Sequence, residues 1–430
     1  MKNKSILKLL TFIPLFASVT SCGENLTQIY AANTVGSFSY SESINENYRD
    51  INLKAREFSS KISEAMYKKF KSNNNVVFSP SSIFLSLGLA AKISSGETQQ
   101  EILNALNMDF DNLNENYASL YRSLNDSFDE GIVSTTNSIW LNDDLSFNEE
   151  LLSELAKAYY CYSYKTDFTN NPEEASKEIA YFIKEKTNGF LDLDLDFNPF
   201  TKFVILNTLY LKDVWQLEAK DLALYDKEVS FKNSDGSFAN DREFYVGNYL
   251  EGQSYVSDSF SSFYAKTLNG YKLTFMLPEN NKSIDDIFIS ENILKALDST
   301  SYMKEESEQE NEKIYLTRCI FPGFEAKFDS IINNMLTIDF GIKDLFSSTP
   351  DLSPLFNSFS PDSISIRHIA KLKVDRKGME GAAVTITSDL SADRQENEVI
   401  KSDFIVDKSF GYIISDHYNN VLFSGVVEHL

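Results

Sequence analysis

The chain has 430 residues, 42% apolar and 13% aromatic, enough to bury a large core. Its formal net charge of −23 argues against a nucleic-acid surface and favours solubility, with basic partners the ones attracted. The three cysteines, Cys22, Cys161 and Cys319, are too sparse for a disulfide framework, although a bond between the last two is left open.

Lys2, Lys4 and Lys8 precede an apolar run from Leu9 to Val19 that is too short to span a bilayer comfortably. Residues 1–22 thus read as an export signal. Its end, Val19-Thr20-Ser21-Cys22, resembles a bacterial lipobox, in which the cysteine is lipidated and becomes the first mature residue. An ordinary cleaved signal is the alternative. The expectation is an exported lipoprotein at the cell surface or facing the periplasm, or a secreted protein. Contact with a membrane would run only through a lipid on Cys22. Residues 23–47, rich in Ser, Asn, Gly and Tyr, read as a flexible tether. No repeat and no second shift in composition follows, so residues 48–430 read as one domain.

Phe58, Ile62, Met66 and Phe70 recur every four residues and predict an amphipathic helix over Asn52–Lys71. Val76-Val77-Phe78 reads as a short buried strand. Ser79 can then cap a helix that has Pro80 at its first position. Thr201–Trp215 holds a continuous apolar run, the pattern of a strand buried on both faces. Asn207 inside it needs hydrogen-bond partners. Phe410–Ile414 and Val421–Val427 read as further strands, with Tyr418–Asn420 as a turn. Ala370, Leu372 and Val374 alternate with Lys371, Lys373 and Asp375, the pattern of a half-buried strand. After them comes a long segment of small and β-branched residues from Lys377 to Gln395. Val384-Thr385-Ile386-Thr387 within it has high strand propensity.

Lys377-Gly378-Met379-Glu380-Gly381-Ala382-Ala383-Val384-Thr385 resembles the reactive-loop hinge of the serpins, the serine-protease-inhibitor family. Asn75–Ala91, Thr135–Leu141, Ile179–Gly189, Thr201–Trp215, Leu273–Pro278, Phe321–Phe324 and Gly341–Phe346 resemble other serpin segments in the family's order. The resemblance covers about residue 50 to Leu430. It implies an α+β serpin fold, with large mixed and antiparallel sheets, about nine helices and an exposed reactive loop. By the same resemblance Ser79, Ser82, Asn207 and His368 form the shutter under the centre of the main sheet. Trp215 marks the breach, where loop insertion begins.

The resemblance implies a suicide inhibitor. A protease attacks the loop and forms an acyl-enzyme, and the cut loop inserts into the main sheet and traps it. The family's spacing from Gly378 places the scissile bond at Ala392–Asp393, with Arg394 and Leu390 as alternative sites. The partner is an elastase-like or trypsin-like serine protease, with cysteine proteases as a second class. A monomer without metal or cofactor is expected. By the family register Met379, Gly381, Ala383 and Thr385 point inward, alternating with Glu380, Ala382 and Val384. A charge at position 379 is expected to block the hinge.

The chain departs from the family in four places. Met379 replaces a small hydroxyl residue, and Arg376 and Gly323 replace a Glu–Lys pair at the breach. Asp213 stands where glycine is usual, and the loop is a handful of residues longer. These departures support the alternative, a non-inhibitory serpin-fold surface protein with a binding or structural role. Against an enzyme, the histidines are His368, His417 and His429 alone, and no G-x-S-x-G or H-E-x-x-H occurs.

Overall fold

The computed structural model describes residues 26–34, 46–71, 74–128, 131–216, 222–251, 254–299, 314–356, 364–380 and 399–430. Its centre is the apolar run read above, which forms strand β5, Phe203–Val214. The strands used below are β1 (Thr27–Tyr30), β2 (Val76–Phe78), β3 (Gly131–Asn142), β4 (Cys161–Thr166) and β5. They continue with β6 (Phe324–Ile331), β7 (Arg367–Val374), β8 (Gly378–Met379), β9 (Val399–Ile405), β10 (Phe410–Ser415) and β11 (Val421–Val427). The main sheet has eight strands and runs β1-β4-β3-β5-β8-β7-β6, with Asp126–Phe128 pairing β3. It is mixed, because β3 and β4 are parallel while β3 and β5 are antiparallel.

A six-stranded sheet lies behind it and contains Lys272–Pro278, β10, β11 and β2 in that order. These four strands are buried along their whole length, as their near-continuous apolar runs require. A third sheet carries β9 parallel to Ile314–Pro322. Among the described residues there are nine α-helices. Helix α1, Glu46–Phe70, begins before the Asn52 expected from its apolar spacing and takes in the last two residues of the segment read as a tether. Helix α2, Pro80–Ile93, starts as expected: the Ser79 side chain accepts from Ser82 N and Pro80 takes the first position. Helix α3, Pro172–Lys186, crosses the outer face of the main sheet over a second apolar cluster that includes Trp140, Phe182 and Leu195.

Two readings of the sequence change here. The segment 23–47 is not a tether throughout, since Thr27–Tyr30 pairs antiparallel with β4 as the edge strand of the main sheet. Ile29 and Tyr30 pack on the core, and the Asn33 amide donates to Ala156 O. The bond left open between Cys161 and Cys319 is not formed; both are buried free thiols. No described helix is long and apolar enough to cross a membrane. Among the described residues no group of His, Cys, Asp or Glu is arranged to hold a metal ion.

Candidate functional site: the gap between β5 and β7

Two long strands, β5 and β7, lie side by side at one end only through the two-residue strand β8. Gly378 is paired with Val214, and Met379 with Asp213 on one side and Val374 on the other. Gly378 and Met379 thus form the only rung between the two long strands among the described residues. Gly378 fits because a Cβ there would lie 2.1 Å from Asp213 O and 2.7 Å from Val214 Cα. Met379 points inward and is 1% exposed. Trp215 closes this end: its indole donates to Asp375 O at 2.9 Å, and its ring meets Phe321 edge-on. Where a Glu–Lys pair is absent, Gly323 leaves room for the Tyr245 phenol, which a Cβ would meet at 3.0 Å.

Asp213 is fully buried beneath the hinge. Its carboxylate accepts from Asn269 Nδ2 at 2.7 Å, Asn269 N at 3.2 Å and Val214 N at 2.9 Å. Burial pushes its pKa up, and these bonds pull it down. The space comes from Gly131 on β3, where a Cβ would lie 2.9 Å from Asp213 Oδ1. Asp213 and Met379 are direct cross-strand partners, so their side chains share a face. An arginine at 379 would therefore meet a carboxylate, which moderates the block expected of a charge there.

Glu380 lies on the outer face in the left-handed region, φ 50°, which ends β8. Its carboxylate accepts from Tyr210 OH at 3.0 Å, and Oε2 is buried without a protein partner. Burial raises its pKa; the bond from Tyr210 and the charges of Lys212, Lys371 and Lys373 oppose the rise.

Lower in the gap the four residues expected at the shutter meet. The Ser79 amide donates to His368 Nε2 at 3.0 Å, Ser79 Oγ donates to Leu422 O at 2.8 Å, and Ser82 Oγ bonds Asn207 Oδ1. Asn207 Nδ2 also donates to Thr135 Oγ1 at 3.0 Å and Asn137 Oδ1 at 2.7 Å. Asn137 in turn donates to Tyr117 OH at 2.8 Å. Thr135, Asn137 and Tyr117 were not singled out from the sequence. A cavity below β8, lined by Ser82, Leu193, Asn207 and His368 among others, follows the gap toward the far end.

The profile described as Serpin (serine protease inhibitor) matches residues 54–430. The chain belongs to the serpin family. An uncharacterized serpin-like protein of Thermococcus kodakarensis is 28% identical over 381 residues, 81% of each chain. Iripin-1 of Ixodes ricinus is 26% identical, covering 83% of this serpin and 89% of its own length. Among solved structures, the native thermophilic serpin tengpin superposes with a TM-score of 0.75 at 21% identity, over 95% of this chain and 100% of that one. Thyroxine-binding globulin with thyroxine superposes with a TM-score of 0.70 at 20% identity, over 88% and 99%. These structures share the fold. Serpins as a family are protease inhibitors acting on target proteases, not catalysts.

In this serpin Cys22, Gly381, Ala382, Ala383, Val384, Thr385, Leu390, Ala392, Asp393 and Arg394 lie outside the described residues. The cluster around His368 carries a pH dependence. His368 must be neutral at Nε2 to accept from Ser79, and burial lowers its pKa to about 4. Its folded pKa is below the unfolded value near 6.5, so its stabilisation is present above that value and is lost as pH falls toward 4. The loss approaches about 3 kcal/mol. Asp416, lifted by burial to about 6, has the opposite sign: its contribution is present at low pH and is lost as pH rises through 6. The difference between wild type and His368→Gln isolates the histidine. Thermal melts from pH 7 to 4.5 should show the variant gaining on wild type as pH falls; parallel curves would remove His368 as the titrating group.

Proposed function

We propose that this serpin is a suicide inhibitor of serine proteases, with cysteine proteases a second target class, that traps the acyl-enzyme by inserting its cleaved loop between β5 and β7. The observation that carries the reading is the register of β8. Antiparallel pairing keeps the sum of partner numbers constant. Extending Met379–Asp213 places Gly381 opposite Leu211, Ala383 opposite Leu209 and Thr385 opposite Asn207. On the β7 side the same three fall opposite Leu372, Ala370 and His368. Small residues thus meet the buried positions, and the Thr385 hydroxyl arrives between the two polar shutter groups. The register reaches the start of β5 at residue 389, opposite Phe203. Cleavage after Leu390, Ala392 or Arg394 leaves enough strand to fill it; Ala392 is the first choice on the family's spacing and suits an elastase-like pocket.

Incubation with elastase-like and trypsin-like enzymes, followed by denaturing electrophoresis, tests this. A stable complex supports inhibition, and intact mass of the released C-terminal peptide identifies the bond. A clipped product with no complex supports the second reading, a non-inhibitory binding serpin. That reading draws on Met379 and the buried Asp213 carboxylate, both at the first rung.

The N-terminal pattern supports export with a lipid on Cys22. Cys22→Ser is expected to move the protein from the membrane fraction to the soluble one. Unchanged partitioning would remove Cys22 as the anchor.

A further inference from the structure

We infer that Glu380 is a positioning residue with two seats, one on Tyr210 in the intact protein and one between Lys212 and Lys373 once the loop inserts. The inference rests on the insertion reading above and concerns what holds the hinge at its first rung.

The first seat is the one observed. Glu380 leaves the strand with φ 50°, a conformation unfavourable for a side chain with a Cβ. It reaches Tyr210 OH at 3.0 Å. That contact is out of register for a continuing strand. The pairing of Met379 with Asp213 and Val374 makes Lys212 and Lys373 the cross-strand neighbours of residue 380, whereas Tyr210 belongs opposite residue 382. The parked glutamate therefore sits where the next outward residue must pass. A small cleft lined by Phe190, Tyr210, Lys371, Lys373 and Glu380 marks the place.

The second seat follows from parity. Met379 and Val374 are buried on the inner face, so Glu380, Lys212 and Lys373 share the outer one. In the parked position Oε2 is buried and has no protein partner. Among the described residues Lys373 makes two long ion pairs, 3.8 Å to Glu325 and 3.9 Å to Asp375. Moving Glu380 into register gives its carboxylate a lysine on each side and removes the left-handed backbone. It also frees the Tyr210 hydroxyl from a position blocking the slot. Opposite charges directly across neighbouring strands are favourable partners. The parked bond slows departure from the first rung, and the lysine pair favours the inserted state.

Thermal melts of intact and loop-nicked protein separate the two seats. Tyr210→Phe is expected to lower the intact melting temperature by about 1–3 °C and leave the nicked form unchanged. Glu380→Gln and Lys373→Met are each expected to lower the nicked form by a similar shift, with the double variant no worse than the worse single one. High salt should shrink the nicked-form difference between wild type and Glu380→Gln. Additive effects in a nicked form that has gained stability would overturn the lysine seat alone. A nicked wild type with no gain would overturn the insertion reading together with that seat. Tyr210→Phe with an unchanged intact form would overturn the parked seat.

Discussion

Loop-nicked protein is expected to melt on the order of 10 °C above intact protein. Among the described residues, the gap between β5 and β7 is closed by strand pairing at only the two residues of β8. Extending the register from residue 380 to 389 adds about ten residues, each with two backbone bonds, so hydrogen bonding contributes on the order of 20 kcal/mol. Ordering the same backbone costs about 10–20 kcal/mol. Burial of the apolar atoms of Ala383, Val384, Thr385 and Ile386 adds a few kcal/mol, leaving a net gain on the order of 5–10 kcal/mol. An unfolding entropy of about 2.1 cal/mol/K per residue over residues 48–430 converts this to roughly 6–12 °C. The measurement is differential scanning calorimetry before and after a limited cut between residues 389 and 395. Equal or lower melting temperature after the cut would rule out insertion, whatever complexes are seen on gels.

The scaffold of this site was legible because burial writes a strong pattern. A strand covered on both faces reads as an apolar run, so β5 stood out, although Phe203–Asn207 are only half-buried, and Asn207 within it had to be satisfied. His368 lay at the right spacing from Gly378 on an alternating strand. The partners of Asn207 were hidden for a local reason. In Thr135-Thr136-Asn137-Ser138 every residue is polar, so sequence alone does not show which of them turn inward. Strand β1 is four residues long, too short for its periodicity to rise above the polar segment around it. Asp213 was noticed as a departure, but its consequence needed register: Gly131 opposite makes its space, and Met379 beside it becomes the neighbour of a carboxylate. The left-handed backbone of Glu380 had no signal at all, since the residue there is neither Gly nor Asn.

That register relocates the sharpest test of the mechanism. Met379→Arg brings a guanidinium beside the Asp213 carboxylate, so its cost is moderated by pairing. Ala383→Arg has no such relief. Its projected neighbours on the inner face are Leu209, 9% exposed, and Ala370, 4% exposed, both apolar. An unpaired buried charge there costs about 3–5 kcal/mol. If the insertion transition state feels most of that cost, insertion slows roughly 100- to 1,000-fold, since each 1.4 kcal/mol is about tenfold. Deacylation of the protease is untouched by the change, so the partition tips from trapped complex to cleaved product. Ala383→Arg is expected to be cleaved at the wild-type bond, to yield almost no stable complex, and to melt like wild type while intact. Met379→Arg should retain part of the complex, and that part should fall when Asp213→Asn is added. Both outcomes read out on one denaturing gel with a titration of inhibitor against protease. Undiminished complex from Ala383→Arg would mean that residue 383 does not face the core of the sheet, and the extended register would fall with it.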